Sequence, residues 1–272
     1  MVVSAEHIST AVERAGLAGR CLCVHSSLRS FGHVQGGPET VVTALLGQGC
    51  TVMVPTFSWA YAVPPPPGDR PARNGWDYDG YAGPADGLGR VYTPAGSDID
   101  EDMGAIPAAV LAMDGRVRGG NPLCSFAAVG AQAARLIAGQ TPLDFSAPLR
   151  NLISAGGSIV LMGVDLTRMT ALHLAEREAG RRLFRRWANG PGGKAVQVEV
   201  GGCSAGFHKF EAVLSPLGRR LTAGRSTWRV YAAGALVDRA AQAIRDEAML
   251  THCGNPECQM CSDAVAGGPI LA

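Results

Sequence analysis

The sequence has little charge, few lysines and few aromatic side chains. Charged residues make up 17% of the 272 positions and aromatic residues 6%, and 24 basic against 23 acidic side chains leave a formal net charge of +1. This balance excludes a broad basic field of the kind that binds nucleic acid or an anionic membrane. No hydrophobic run reaches the roughly 18 residues that a membrane span needs, and the first residues lack a signal-peptide pattern. We therefore expect a cytoplasmic protein with no nucleic-acid or membrane partner.

Hydrophobic residues account for 47% of the chain, and glycine occupies 36 positions. This composition excludes a disordered chain and indicates a folded protein with many tight turns. We expect one α/β domain over residues 1–272, with a central mixed sheet flanked by helices. Its two irregular parts are a long loop at about 59–102, rich in proline, glycine and aspartate, and a cysteine-rich tail at 252–272.

Short apolar runs predict buried strands at residues 21–24, 51–54 and 158–164. The first two runs enclose a predicted helix at about 38–46, which indicates a parallel β-α-β unit. The third run leads into a segment that is strongly helical over about 170–179. The next residues include four arginines and are interpreted as a solvent-exposed helix end: Arg181, Arg182, Arg185 and Arg186.

Thr170, His173 and Glu176 are spaced three residues apart on that helix. Residues at i and i+3 lie within one turn, so the His173 imidazole can pair with the Glu176 carboxylate. A carboxylate that binds one ring nitrogen raises the basicity of the other, which suits a general base. The helix also begins just beyond a buried strand, where open α/β sheets place their active sites. A histidine hydrogen-bonded for structural reasons alone is the other interpretation.

The segment 26–37 is rich in serine and glycine and precedes a helix, a combination that binds phosphate through backbone N–H groups. It matches neither a P-loop nor the G-x-G-x-x-G pattern. An acyl nucleophile at Ser27 is disfavoured, because HSSLRS lacks the G-x-S-x-G elbow.

Six segments carry a resemblance to a known family, in this order: HSSLRSFGHVQGG, VPTFSW, RGGNPLCSFAAVG, SAPLRNLISAGGSIVLMGVD, TALHLAEREAG and GCSAGFHKFE. Together they resemble the aminoglycoside 3-N-acetyltransferase family over about residues 21–215. The resemblance implies transfer of an acetyl group from acetyl-CoA, the cosubstrate, to the 3-amino group of a 2-deoxystreptamine ring. It further implies antibiotic resistance, and an α/β fold distinct from that of GNAT acetyltransferases.

The resemblance also implies roles for residues. His173 matches the catalytic histidine, and Thr170 matches a threonine near the thioester carbonyl. Either Glu176 or Glu211 orients the histidine, and the sequence does not decide between them. The matching residues of the CoA loop, with two that should lie beside it, are Ser26, Ser27, Leu28, Arg29, Ser30, Phe31, Ser125 and Phe126.

An aminoglycoside is a polycation, so its pocket should be acidic. The residues that we predict to bind it are Tyr61, Asp77, Tyr78, Asp165 and Glu178. The long loop holds further carboxylates, at Asp69, Asp79, Asp98, Asp100, Glu101 and Asp102, and an aromatic ring at Trp59 that could stack on a sugar. Asn121 stands where many family members have a histidine before proline, which bears on substrate range rather than on chemistry.

The tail holds Cys253, Cys258 and Cys261 in a C-x4-C-x2-C spacing. A tetrahedral zinc ion needs four such ligands, and His252, Cys203 or His208 could complete the set. The alternative is a cluster of packed, reduced thiols, and the resemblance implies no catalytic metal.

Other interpretations remain open at this point. The protein could acetylate another amine, because a fold does not fix a substrate. Two alternatives come from other functional classes: a zinc hydrolase, and a non-catalytic protein that binds CoA or drug. The expected partners are small molecules, an aminoglycoside and acetyl-CoA, and the expected assembly is a monomer or homodimer.

Overall fold

The computed structural model describes residues 2–79 and 90–271. Its strands are β1 (Val2–Val3), β2 (Cys21–Ser26), β3 (His33–Val34), β4 (Thr51–Pro55), β5 (Val117–Arg118), β6 (Phe126–Val129), β7 (Ser158–Met162), β8 (Phe184–Asn189), β9 (Ala195–Val200), β10 (Arg219–Ala223) and β11 (Ser226–Ala232). Its α-helices are α1 (Ala5–Arg14), α2 (Gly37–Gly47), α3 (Ala105–Ala112), α4 (Ala133–Ile137), α5 (Ala147–Ser154), α6 (Ala171–Glu178), α7 (Glu211–Leu214), α8 (Ala233–Asp246) and α9 (Gln259–Val265).

Seven strands form one mixed sheet in the order β10-β11-β7-β2-β4-β6-β5. The three central strands, β7, β2 and β4, run parallel to one another, whereas each strand outside them pairs antiparallel to its neighbour. The parallel pairing of β2 with β4 across α2 confirms the β-α-β unit predicted from the sequence. The expected central mixed sheet is likewise confirmed.

Each face of the sheet is covered by helices. On β2, the side chains of Leu22 and Val24 enter one apolar cluster, and those of Cys21 and Cys23 enter the other. This alternation follows from the strand geometry, in which successive side chains point to opposite faces. The first cluster includes apolar residues of α1, α2 and α3, and the second includes those of α4, α5, α6 and α8.

One expectation about local structure is wrong. The arginine-rich stretch is not a solvent-exposed helix end, because α6 ends at Glu178 and the chain then enters β8. Arg181 and Arg186 are buried, and Arg182 is exposed. β8 pairs with β9 as a hairpin, and Arg185 forms an ion pair with the buried Glu199 on that partner strand. Ion pairs with nearby acidic residues and hydrogen bonds to distant segments therefore hold Arg181, Arg185 and Arg186 inward.

The two irregular parts of the chain have short regular pieces. Of the predicted loop at about 59–102, residues 80–89 lie outside the described residues, and single 3-10 turns occupy Trp59–Tyr61 and Glu101–Met103. The tail carries α9, which the sequence pattern did not predict. Within the described residues, the helices are too short or too polar to cross a bilayer.

Candidate active site

A cavity of about 1120 Å³ opens where the central parallel strands end. Its wall includes Ser26 at the end of β2, Pro55 at the end of β4, and Val164 just beyond β7. Since parallel strands present their carboxyl ends at the same edge of a sheet, the segments that follow them converge there. The cavity therefore occupies the position at which open α/β sheets bind their ligands.

His173 lies on the wall of this cavity, and its imidazole is held from behind. Its Nδ1 donates to the carboxylate of Glu176 at 2.8 Å, and both side chains are buried. The other carboxylate oxygen of Glu176 accepts from the guanidinium of Arg181 at 3.0 Å. With Nδ1 engaged in this way, Nε2 is the ring nitrogen left for a ligand.

Arg181 is itself fixed by the segment that follows α8. Its guanidinium donates to the hydroxyl of Thr251 and to the carbonyl oxygen of Ala248, each at 2.7 Å. The chain of contacts from His173 through Glu176 to Arg181 is thus buried along its whole length. Buried ionic groups of this kind hold a fixed geometry, because breaking one contact leaves a charge without a partner.

The strand β9 leads into a second wall of the cavity, which includes Gly201, Gly202, Ser204 and Ala205. Gly201 lies directly against the histidine ring, where a Cβ atom would come within 2.4 Å of Cδ2 of His173. Phe207 covers another side of the ring, with ring centroids 4.9 Å apart. Only glycine at position 201 leaves room for the imidazole in this position.

Thr170 and Ser26 are two of the hydroxyl-bearing residues that line the same cavity as His173. Thr170 immediately precedes α6 and lies on the cavity wall one turn before the histidine. The Oγ atom of Ser26 is buried, yet it has no hydrogen-bond partner in the part of the chain that the structure describes. A buried hydroxyl without a protein partner is costly unless a water molecule or a ligand satisfies it.

A second cavity, of about 990 Å³, adjoins the first. The two share Ser27, Val164, Thr167 and Arg168. Arginines predominate among the charged residues of the second cavity, which are Asp165, Arg168, Glu211, Arg220, Arg225 and Arg229. Because guanidinium groups bind phosphate oxygens, this region favours an anionic ligand.

The first cavity also has acidic and aromatic groups, which come from the two ends of the long loop. Trp59 contributes a partly exposed indole ring, and Glu101 and Asp102 contribute carboxylates. Asp102 forms an ion pair with Arg168 at 3.5 Å. The backbone N–H of Trp59 donates to the carboxylate of Asp100, so a residue near the C-terminal end of the loop fixes the N-terminal end of the loop.

The predicted CoA loop divides between several surroundings. Ser26, Ser27, Leu28 and Arg29 line the first cavity, and Ser27 and Ser30 line the second. Phe31 instead packs edge-on against Trp228 in the core. Ser125 and Phe126 are fully buried, with Ser125 bound to Thr56 and Arg118.

The predicted substrate residues are likewise dispersed. Asp165 lines the second cavity, and a hydrogen bond from the Thr167 hydroxyl keeps its pKa low. Tyr61 is buried and donates to Asp98 at 2.6 Å, and burial raises its pKa to about 12. Tyr78 donates to the carbonyl oxygen of Pro71, whereas Asp77 and Glu178 are exposed outside the cavity walls.

The structure separates the two candidate partners of His173. Glu211 binds Arg229 at 2.6 Å and Arg220 at 2.7 Å, in the second cavity, whereas Glu176 binds the histidine. Asn121 is buried, and its side-chain oxygen accepts from the backbone N–H of Cys124 at 2.7 Å. Asn121 thus shapes the turn before Cys124, which lines the cavity.

The three cysteines of the tail lie together, and Cys203 joins them. The two histidines that could have completed the set are engaged elsewhere. Nδ1 of His208 contacts the carbonyl oxygen of Ala205, and Nδ1 of His252 accepts from the backbone N–H of Gly254.

Several residues of the site were missed or left without a role by the sequence analysis. Arg181 was noted only as part of a basic stretch, and Gly201 and Arg225 carried no signal because their partners come from distant segments. Glu101 and Asp102 were noted only as two of many loop carboxylates. Their position just before the N-terminus of α3, close to the end of the loop, was the one sequence feature that pointed to a role in the site.

A histidine–carboxylate pair at the carboxyl edge of a mixed sheet, with the histidine on the wall of a large cavity, is an arrangement typical of α/β enzymes that use a general base. The sequence model of one family, described as aminoglycoside 3-N-acetyltransferase, matches residues 23–245. The chain belongs to this family.

Individual relatives agree with this assignment. The chain is 36% identical over 165 residues to aminoglycoside N(3)-acetyltransferase VII of Streptomyces paromomycinus, a match that covers 58% of this chain and 54% of that protein. The matches to the first curated relatives span 54%, 65% and 59% of their lengths.

Solved structures share the fold. That of aminoglycoside acetyltransferase AAC(3)-IVa is similar with a TM-score of 0.76 at 23% identity and covers 98% of both chains. That of AAC-IIIb in a binary complex with CoASH is similar with a TM-score of 0.70 at 22% identity, covering 90% of this chain and 97% of the other.

Proposed function

We propose that this protein transfers the acetyl group of acetyl-CoA to the 3-amino group of an aminoglycoside, in a ternary complex, and so confers resistance to the antibiotic. The observation that carries the proposal is the buried contact between His173 and Glu176 at the wall of the larger cavity. Membership of the family supports the choice of reaction.

In the proposed reaction, each of the groups His173, Thr170 and Glu176 has its own role. Nε2 of His173 accepts a proton from the substrate amine, whose nitrogen then attacks the carbonyl carbon of the thioester. The resulting tetrahedral intermediate carries negative charge on oxygen, which the hydroxyl of Thr170 on the cavity wall would stabilise. The intermediate collapses by breaking the bond from carbon to sulfur, and the protonated His173 returns its proton to the leaving sulfur, which gives the amide and the CoA thiol. Glu176 stabilises the imidazolium that forms during the transfer.

The two cavities suit the two substrates. The arginines of the smaller cavity favour the phosphates of CoA. The Ser26–Arg29 segment, which lines the larger cavity and shares Ser27 with the smaller one, would receive the pantetheine arm. The carboxylates of Glu101 and Asp102 favour the ammonium groups of an aminoglycoside in the larger cavity. The unpartnered hydroxyl of Ser26 gives the cosubstrate a buried polar contact. We extend the proposal to the long loop, whose two ends form the aminoglycoside wall.

The first experiment measures the release of free CoA thiol from acetyl-CoA, with a panel of 2-deoxystreptamine aminoglycosides and simple amines. We expect turnover with the drugs and a shift of product mass by one acetyl group on the 3-amine. Expression in a susceptible bacterium should raise the inhibitory concentration of the same drugs. Turnover with simple amines but not with aminoglycosides would instead support acetylation of another amine.

The matched variants are His173→Gln and Glu178→Gln, two changes on the same helix. We expect the first to lower kcat by a factor on the order of 10²–10⁴, because a general base is lost, and acetyl-CoA binding to persist. The second changes an exposed side chain outside the cavity walls and serves as the control. Wild-type turnover in His173→Gln would refute the assignment of the base.

A further inference from the structure

We propose that Cys203, Cys253, Cys258 and Cys261 bind one Zn²⁺ ion, which fixes the C-terminal segment against the wall of the active-site cavity. The four sulfur atoms all lie within 4.8 Å of one another. Tetrahedral zinc with Zn–S bonds of about 2.3 Å places its sulfur ligands roughly 3.8 Å apart, so a small adjustment brings all four into coordination.

The local backbone turns so that the three cysteines of the tail come together. Gly254 follows the first ligand of the tail with a φ of +94°, and the N–H of Cys258 donates to the carbonyl oxygen of Asn255 at 3.1 Å, which closes the turn. Cys261 lies in the first turn of α9, three residues after Cys258. The N–H of Cys253 donates to the Cys261 sulfur at 3.3 Å, which holds the first and last ligands of the tail together.

The four cysteines differ in their surroundings from the other four of the chain. Cys21, Cys23, Cys50 and Cys124 are each buried in an apolar cluster, as is typical of cysteines that serve as small hydrophobic side chains. Three of the four clustered cysteines are instead partly exposed, and their sulfur atoms face one another. A divalent cation would compensate the charge of four thiolates gathered at such short range.

The fourth ligand connects the tail to the active site. Cys203 lies between Gly202 and Ser204, both of which line the larger cavity, and two residues from Gly201 against the His173 ring. The three other ligands follow Thr251, which binds Arg181 behind Glu176. One metal ion would therefore tie together the two segments that hold His173 from opposite sides.

Close packing marks the same junction between the two segments. A Cβ atom at Gly206 would come within 2.3 Å of the carbonyl oxygen of Thr251, and Nζ of Lys209 donates to the carbonyl oxygen of His252 at 2.7 Å. The tail also contacts the long loop, because Asp263 on α9 accepts from the backbone N–H of Gly75 at 2.7 Å. Zinc at this position would stabilise contacts on which the cavity wall depends.

The test uses the full chain, purified without a polyhistidine tag, and measures metal by mass spectrometry after gel filtration. We expect about one zinc per chain, as in structural sites with four thiolates. Cys203→Ser and Cys258→Ser should each lose most of it, whereas Cys50→Ser, which keeps a donor to the carbonyl oxygen of Leu17, should retain it. Where the serine variants fail to fold, Co²⁺ added to the wild-type chain should show the visible absorption of a tetrahedral thiolate complex.

A chelator then tests the anchoring role. Removal of zinc should lower the melting temperature by several degrees and expose four further thiols to titration, and added zinc should reverse both changes. A metal-free chain that takes up neither Zn²⁺ nor Co²⁺ would overturn the proposal, as would two disulfides in the isolated protein. Unchanged stability on removal of zinc would overturn the anchoring role. These measurements do not depend on acetyl transfer, so they fail or succeed separately from the proposed function.

Discussion

Arg181 is the residue through which the C-terminal segment acts on His173. Its guanidinium contacts Glu176 on one side and Thr251 and Ala248 on the other. A residue in this position touches no substrate in the proposed reaction, so it acts by positioning. Its removal would leave the Glu176 carboxylate buried with one contact fewer.

We predict that Arg181→Met lowers kcat by a factor on the order of 10–10², because the histidine loses its fixed orientation, and leaves the KM for acetyl-CoA nearly unchanged. Steady-state kinetics with both substrates varied will measure this. Arg182→Met is the matched control, since Arg182 is the next residue in the chain and its side chain is exposed. Equal kinetics for the two variants would contradict a positioning role. The role would also be contradicted if Arg181→Lys showed the same fall in kcat together with a parallel loss of folded protein.

A second prediction at this scale concerns His25, which is buried on β2. Burial lowers its pKa to about 4, whereas the same imidazole in the unfolded chain titrates near 6.5. Between these pH values the unfolded state binds a proton that the folded state does not, so the free energy of unfolding falls as the pH drops below about 6.5.

From pH 7 to pH 5, the free energy of unfolding of the wild-type chain should fall by about 2 kcal/mol more than that of His25→Gln, as measured by urea unfolding at each pH. His33→Gln, at an exposed position, should follow the wild type. A wild type and a His25→Gln variant with the same pH dependence would show that His25 titrates normally in the folded protein.

Among the elements, the segment after β9 limits the space around the histidine. Gly201→Ala would place a methyl group within 2.4 Å of Cδ2 of His173, so the ring or the segment has to move. We predict a fall in kcat by a factor on the order of 10², the cost of a displacement of about 1 Å in an active site. Gly47→Ala at the end of α2 meets no atom within 4 Å and is the control. Full activity in Gly201→Ala, with the protein folded, would show that the contact is not constraining.

The sequence predicted most of the elements whose pattern is local. The helix α2 and the strands β2, β4 and β7 have clear periodicity or apolar runs, and the contact of His173 with Glu176 follows from a spacing within one helix. β8 was missed because it contains two arginines, a residue type that is usually found on the protein surface. The Arg186 guanidinium lies over the ring of Trp76 at 4.2 Å, more than a hundred residues away along the chain, and no one-dimensional pattern contains such a partner. The same limit explains why Arg181 and Gly201 were not assigned.

For the whole molecule, the proposed assignment of one substrate to each cavity predicts that the binding of each substrate can be weakened separately. Arg225→Ala should raise the KM for acetyl-CoA roughly 10-fold or more and leave that for the aminoglycoside unchanged, because one contact to a phosphate is lost. Glu101→Gln with Asp102→Asn should do the reverse. The effect of the acidic pair should weaken at high salt, since exposed charges are screened.

Each of these variants is the control for the other, and Asp114→Asn, in an exposed turn, is a control for loss of acidic charge. Initial rates with each substrate varied at saturation of the other will separate the two KM values. If both changes raised the same KM, the two substrates would share one cavity, and the proposed division would be wrong.

The position of β2 between β4 and β7 has a consequence for how the chain folds. β2 and β4 lie within the first 55 residues, whereas β7 begins only at Ser158, and β11 on its far side only at Ser226. During synthesis, the N-terminal strands therefore emerge well before the strand that covers their open edge. Sheets closed by such distant segments fold slowly, and their unpaired edges invite aggregation. We expect the nascent chain to depend on chaperones until β7 is available, and truncation before Ser158 to yield insoluble protein.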